Sequence, residues 1–137
     1  MQYSCTVLIA DDDESIRNAL EDMYVLDGYN VIVAKDGQEA LDLIKQGPRP
    51  LLALIDIRMP KLDGIGVIKE IMRSQEKLID VVAMTASQNI NIHGITMVYK
   101  PFDLDWLMDF TKQRCDILGQ LHHIVEHSPE ETWRDHA

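Results

Sequence analysis

The sequence predicts a doubly wound α/β fold, a parallel sheet with helices packed on both faces. Three observations carry the prediction. Short apolar runs rich in β-branched residues alternate along the chain with stretches of helical periodicity. Those runs are apolar nearly throughout, the composition of strands buried on both faces. Acidic, hydroxyl and basic residues stand at the ends of four of the five runs, where doubly wound sheets bind their ligands.

The elements follow in order. "CTVLIA" opens the sheet, and "ESIRNALEDMYVLDG" then sets Ile16, Leu20, Met23 and Leu26 at helical spacing and closes at Gly28. "NVIVA" is the second strand. The helix "DGQEALDLIKQG" starts from Asp36 as N-cap, with Glu39 in the capping-box position, and stops at Gly47-Pro48. "LLALID" is a third buried strand, and "GIGVIKEIMRSQ" aligns Ile65, Ile68, Ile71 and Met72 along one helical face. "DVVAMTA" and "ITMVYK" are the fourth and fifth strands. Beyond Pro101, Leu104, Leu107, Met108, Leu118, Leu121 and Val125 mark a last long amphipathic helix.

One crossover is too short for its helix. Between a fourth strand ending near Ala86 and a fifth starting near Ile95 only "SQNINIHG" remains. A parallel crossover with a helix takes at least about 10–12 residues. Ile90 and Ile92 alternate at period two, and Asn89, Asn91 and Gly94 are poor helix formers. The fourth helix of the fold is therefore expected to be missing or about a turn long.

At 137 residues and 46% apolar, the chain is one domain with one real core, undivided by linker, repeat or low-complexity tract. A net charge of −10 argues against direct binding to nucleic acid or anionic membrane, which need Lys/Arg patches. "MQYSCTVLIA" has no basic region before its first strand, and no apolar run approaches the roughly 18 residues of a membrane span; a cytoplasmic location is expected. Cys5 and Cys115 share no metal-ligand spacing and read as reduced core residues.

The stretch "VLIADDDES" sets an apolar strand against three consecutive aspartates, Asp11, Asp12 and Asp13. Like charges beside a buried strand lose hydration and repel, so either the block lies in water or a cation sits there. Asp56 after the third strand, Thr85 after the fourth and Lys100 after the fifth converge on the same end of the sheet. Several carboxylates together favour a hard divalent cation such as Mg²⁺ and would repel a bare phosphate, which disfavours a flavin-nucleotide site. With a cation present, Asp56 becomes a candidate nucleophile for phosphoryl transfer, with Lys100 and Thr85 as donors to the phosphoryl oxygens.

The segments "VLIADDDESIR", "LALIDIRMPKLDG", "VVAMTAS" and "YKPF", in that order and with 44 residues from Asp12 to Asp56, resemble the receiver domain of two-component response regulators. The resemblance covers residues 5 to about 112 and implies a flavodoxin-like five-stranded sheet of order 2-1-3-4-5. It implies Asp56 as phosphoacceptor, Asp11 and Asp12 as Mg²⁺ ligands (Asp12 directly), and the backbone carbonyl of Arg58 as a further ligand. It also implies Thr85 as switch hydroxyl and Lys100 as phosphoryl-binding lysine before a cis bond to Pro101. The partner implied is a histidine kinase or histidine phosphotransfer protein. The expected division is a receiver core over 1–112, a helical extension over 113–127 and a polar tail over 128–137.

Other residues in these segments weigh differently. Asp13 and Glu14 read as water-facing or helix-capping groups, and Pro60, Asp63 and Gly64 as turn-formers. Ser87 is either a loop serine or an influence on how water reaches the site. His123 and His127 form an i,i+4 pair with no partner in register, which reads as a surface pair. Two features depart from the receiver pattern: Met97 stands three before Lys100, where many receivers carry an aromatic, and only 14 residues separate Thr85 from Lys100. Tyr99 lies nearby on the same strand face.

The resulting expectation is a phosphoacceptor switch or shuttle that catalyses only its own phosphorylation and dephosphorylation, either stand-alone or cut from a longer regulator. The alternative is a degenerate receiver acting as a phosphorylation-independent interaction module. An aspartate-nucleophile phosphatase would want a second Asp two residues after the nucleophile, where Arg58 stands. The last helix should overhang the body and expose Leu118, Leu121, Ile124 and Val125, giving a homodimer through that helix, unless Gly119 breaks it.

Overall fold

The computed structural model describes residues 5–127. Its elements are β1 (Thr6–Ala10), α1 (Glu14–Leu26), β2 (Asn30–Ala34), α2 (Gly37–Gln46), β3 (Leu51–Asp56), α3 (Gly64–Ser74), β4 (Ile79–Thr85), β5 (Thr96–Tyr99) and α4 (Leu104–His127). The five strands are all parallel in the order β2-β1-β3-β4-β5. Successive residues point to opposite faces, so each strand feeds two cores. Leu8, Ala10, Ala53 and Ile55 pack with α2 and α3 on one side. Val7, Ile9, Leu52, Leu54, Val82 and Met84 pack with α1 and α4 on the other.

Three aspartates start helices. Asp13 accepts from the N–H groups of Ser15 and Ile16, Asp36 from Glu39, and Asp63 from Gly66, so each satisfies backbone donors that the first turn leaves open. Asp63 was expected only as a turn-former; it is also the cap of α3. In α1 the apolar spacing misplaces one residue. Leu26 is 88% exposed, and Tyr24 is buried instead. Its ring meets Tyr29 edge-on, and its hydroxyl donates to Thr111 Oγ1 at 2.7 Å. Thr111 in turn donates to the Leu107 carbonyl at 2.8 Å, so α1 and α4 share one buried polar chain.

No helix joins β4 to β5, as the length of the crossover requires. Ile90, Ile92 and Ile95 lie partly buried against the α2/α3-side core, so an irregular strap with turns at 88–89 and 93–94 covers part of the face that a helix would otherwise cover. The Tyr99 hydroxyl donates to the Ile90 carbonyl at 3.3 Å and ties the strap to the edge strand.

The last helix runs unbroken through Gly119 to His127. Its buried positions are Leu107, Thr111, Cys115, Leu118 and Gly119, and none lies beyond 119. Leu118 thus belongs to the core and not to the overhang, because its position on the helix turns it toward the sheet; Ile117 is exposed in its place. Arg114 anchors the helix, donating to Asp80 at 2.8 Å and to Thr96 Oγ1, with its guanidinium 4.9 Å from the Phe110 ring centre.

Cys5 and Cys115 depart from the sequence reading. They are buried, their Cα atoms are 5.4 Å apart, and they are paired as a disulfide rather than standing as separate reduced residues. Packing of α4 beside the start of β1 brings together two residues 110 positions apart, which no local spacing reveals.

The Tyr24–Thr111 pair gives an asymmetric expectation. Tyr24→Phe removes one donor and should cost about 1 kcal/mol, whereas Thr111→Val strands a buried phenol and should cost about 1–3 kcal/mol. Thermal melts are expected to show the larger drop for Thr111→Val, at roughly 4 °C per kcal/mol; equal or reversed drops would contradict it.

Candidate functional site

The parallel register brings the carboxyl ends of the strands into one line. Ala10 sits opposite Ile55, Asp56 opposite Met84, and Thr85 opposite Tyr99. The residues just past those ends therefore surround one opening, a cavity of about 610 Å³ lined by Asp11, Asp12, Asp13, Ile16, Asp56, Arg58, Thr85, Ala86, Ser87 and Lys100. Every residue singled out from the sequence for chemistry lies in this lining.

One ammonium joins the two sides. Lys100 Nζ donates to Asp11 Oδ2 at 2.7 Å and to Asp56 Oδ2 at 2.8 Å. Lys100 follows β5 directly; its N–H donates to the Thr85 carbonyl, and the Lys100–Pro101 peptide is cis. Asp11 is fully buried, its Oδ1 accepts from the Asp13 N–H at 3.0 Å, and Arg17 holds its carbonyl at 2.8 Å. Asp56 is also buried, and its Oδ1 accepts from the Arg58 N–H at 3.1 Å. Thr85 Oγ1 accepts from the Ser87 N–H at 3.0 Å, which leaves the hydroxyl proton free to be donated.

Burial pushes the Asp56 carboxyl above its usual range, against hydrogen bonds from Lys100 and Arg58 that favour the charged form; Asp11 adds repulsion. Burial also works against the Lys100 ammonium, yet its bonds and attractions to Asp11 and Asp56 outweigh it and hold its pKa above the ordinary lysine value. The site is thus short of positive charge, with one ammonium for two buried carboxylates. Oxygens of Asp11, Asp12 and Asp56 lie within 4.8 Å of one another, and Asp12 is exposed to solvent. Three hard oxygen donors at that spacing suit a small divalent cation.

A profile described as "Response regulator receiver domain" matches residues 7–112. The chain belongs to the response regulator receiver family. Among similar receivers, sporulation initiation phosphotransferase F of Bacillus subtilis is 33% identical over 114 residues, covering 78% of this chain and 90% of that protein. Response regulator RR06 of Streptococcus pneumoniae is 34% identical over 135 residues, covering 93% of this chain and 57% of the relative. A probable transcriptional regulator, ycf27 of Guillardia theta, is 41% identical over 103 residues, covering 70% of this chain and 39% of that one. The chain thus spans about two fifths of the length of some of the curated relatives it matches. The response regulator TrrA of Thermotoga maritima, solved in complex with Mg(2+)-BeF, superposes with a TM-score of 0.70 at 29% identity over 80% of this chain and 97% of that one. A receiver domain protein of Methanospirillum hungatei gives 0.72 at 30% identity, over 82% and 95%.

Within this receiver, Asp13 faces the opening but is engaged as the cap of α1. His123 and His127 stack with ring centres 4.2 Å apart on α4, away from the site, and belong to no group of three ligands among the described residues. Tyr99 points to the strap and not into the cavity. Sequence reasoning missed the parts of Arg17 and Gly64. A Cβ at position 64 would collide with the Asp56 carbonyl, so glycine lets α3 start hard against the end of β3. The only sequence signal for it is a glycine directly after a capping aspartate.

The raised Asp56 pKa has a consequence for stability. Such a group contributes stability below its unfolded pKa, and the contribution is lost as pH rises through the folded value. In chelator at neutral pH, Asp56→Asn is expected to melt higher than the parent chain, with the gap closing as pH falls toward the carboxylate range. A lower melting temperature at neutral pH would mean that the Lys100 bond outweighs burial.

Proposed function

We propose that this receiver is the phosphoacceptor of a phosphorelay, taking a phosphoryl group on Asp56 from the phosphohistidine of a histidine kinase or histidine phosphotransfer protein. The observation that carries the reading is the Lys100 ammonium held between two buried carboxylates at a strand-end cavity. The Bacillus subtilis relative, named a phosphotransferase and covered over 90% of its length, supports a shuttle role.

In this reading Asp56 attacks the phosphorus through one carboxylate oxygen; the O–P bond forms as the P–N bond to the donor imidazole breaks. The Arg58 N–H and Lys100 hold the carboxylate in place, and Lys100 then offers its charge to the incoming phosphoryl oxygens. Thr85 turns its free hydroxyl proton toward another of those oxygens. Asp11, Asp12, Asp56 and the Arg58 carbonyl hold Mg²⁺, which when bound neutralises charge on the phosphoryl group. Hydrolysis by water later returns Asp56, so the only reaction the chain catalyses is its own gain and loss of phosphate.

In this reading the receiver core is 1–112 and the helical extension 113–127; residues 1–4 and the proposed tail, 128–137, lie outside the described residues. A cytoplasmic donor implies a cytoplasmic location. Among the described residues no helix is long and apolar enough to cross a membrane. With a net charge of −10, direct contact with nucleic acid forms no part of the reading.

Incubating the full chain with Mg²⁺ and acetyl phosphate is expected to add one phosphoryl group by intact mass. Excess chelator should prevent it, because a dianion would then face the carboxylates uncompensated, and Asp56→Asn should prevent it by removing the nucleophilic carboxylate. Millimolar Mg²⁺ alone should raise the melting temperature by relieving repulsion between Asp11, Asp12 and Asp56. Phosphorylation in chelator, or on the Asn variant, would overturn the assignment.

A further inference from the structure

The end of α4 gathers nitrogen ligands that the strand-end site does not use. Residues 119–127 read "GQLHHIVEH", which sets His122, His123, Glu126 and His127 within two helical turns. From His123 to His127 the segment is H-x-x-E-H, a spacing by which one helix offers two imidazoles to a zinc ion. Residues four apart on a helix are neighbours on one face, about 6 Å apart along the axis. Here the two rings already meet, with centres 4.2 Å apart and planes inclined by 34°. Both residues are exposed, so an ion in solution reaches them directly.

The hydrogen bonds of the segment decide which atoms are available. His127 Nδ1 lies 2.8 Å from the His123 carbonyl oxygen. A carbonyl oxygen only accepts, so Nδ1 carries the proton and Nε2 of the neutral ring keeps its lone pair for a metal. A carbonyl on the other ring nitrogen is the usual way a metal-binding imidazole is oriented. Glu126 is turned to His122 Nε2 at 3.0 Å and supplies no third ligand. Its charge still lies one residue from His127, on a chain whose net charge of −10 attracts cations. Imidazole suits zinc, nickel and copper, whereas carboxylates suit Mg²⁺, so this pair and the cluster of Asp11, Asp12 and Asp56 prefer different ions.

We propose that His123 and His127 form a second metal site, a two-point chelate for a divalent transition ion of the zinc class, with water completing the coordination. Zinc–nitrogen bonds of about 2.0–2.1 Å set the two nitrogens roughly 3.3 Å apart in a tetrahedral site. Rings with centres 4.2 Å apart reach that separation by small rotations. With half the protein ligands of a closed site, the affinity is on the order of 10 μM. The consequence is local. No residue of α4 beyond Gly119 is buried, so a bridge across the final turn holds a helix end that packing does not. The site is independent of the phosphoacceptor reading.

Isothermal titration of Zn²⁺ into the full, untagged chain, with excess Mg²⁺ present to occupy the carboxylate cluster, is expected to show one ion bound per chain. His123→Ala and His127→Ala should each weaken binding at least about tenfold, with thermal melts in the absence of Zn²⁺ unchanged because both positions are exposed. His93→Ala, in the strap, should leave binding as it was. In hydrogen exchange, Zn²⁺ should slow residues 120–127 and leave α1 unaffected. No binding below millimolar Zn²⁺, one ion per two chains, or binding that survives the paired His123→Ala and His127→Ala substitutions would each overturn the proposal.

Discussion

The Lys100 ammonium between Asp11 and Asp56 is the contact on which the rest of the site depends. Two carboxylates cannot be buried side by side as anions without compensation, and here a single cation serves both. That arrangement requires β1 and β3 to be neighbours and the end of β5 to face them from two strands away, which the order β2-β1-β3-β4-β5 provides. It also requires close packing at the strand ends, where Gly64 lets α3 begin against Asp56 and Arg17 fixes the loop that carries Asp11. Stability is not what the arrangement optimises: the Asp56 carboxyl stays pushed toward its neutral form by burial. A strained charge balance of that kind leaves room for a cation and an incoming anion to complete it.

The missing crossover helix changes the surface and leaves the site intact. Thr85 and Lys100 keep their places because they belong to β4 and to the end of β5, whose pairing includes Thr85 opposite Tyr99. The strap between them needs only to reach from one strand to the next and cover part of the sheet, and Ile90, Ile92 and Ile95 are enough to hold it there. In place of a helix the crossover carries an irregular, turn-containing segment tied down by Tyr99. The expected aromatic is absent at Met97, which packs against the core, while Tyr99 two residues on carries the strap contact. The last helix is fastened to the body by Tyr24–Thr111, by Arg114–Asp80 and by Cys5–Cys115.

Features that depend on local pattern could be read directly from the residues. Alternating apolar runs and helical periods set the number and order of strands and helices, Asp36 marked a helix start, and the eight-residue gap limited the fourth helix to about a turn at most. The chemistry-bearing residues were legible too, because polar groups directly after buried strands of a parallel sheet must collect at one end. Features that depend on partners far away in the chain emerge from the packing alone. Local spacing gives a helix an apolar side, yet the facing sheet sets which residue lies at its centre; hence Tyr24 is buried and Leu26 exposed, and Leu118 faces inward while Ile117 faces out. The pairing of Cys5 with Cys115, the close approach at Gly64 and the two hydrogen bonds from Lys100, to Asp11 and to Asp56, all join segments that no short-range period connects. Periodicity constrains a few turns of chain, whereas these contacts come from the packing of whole elements.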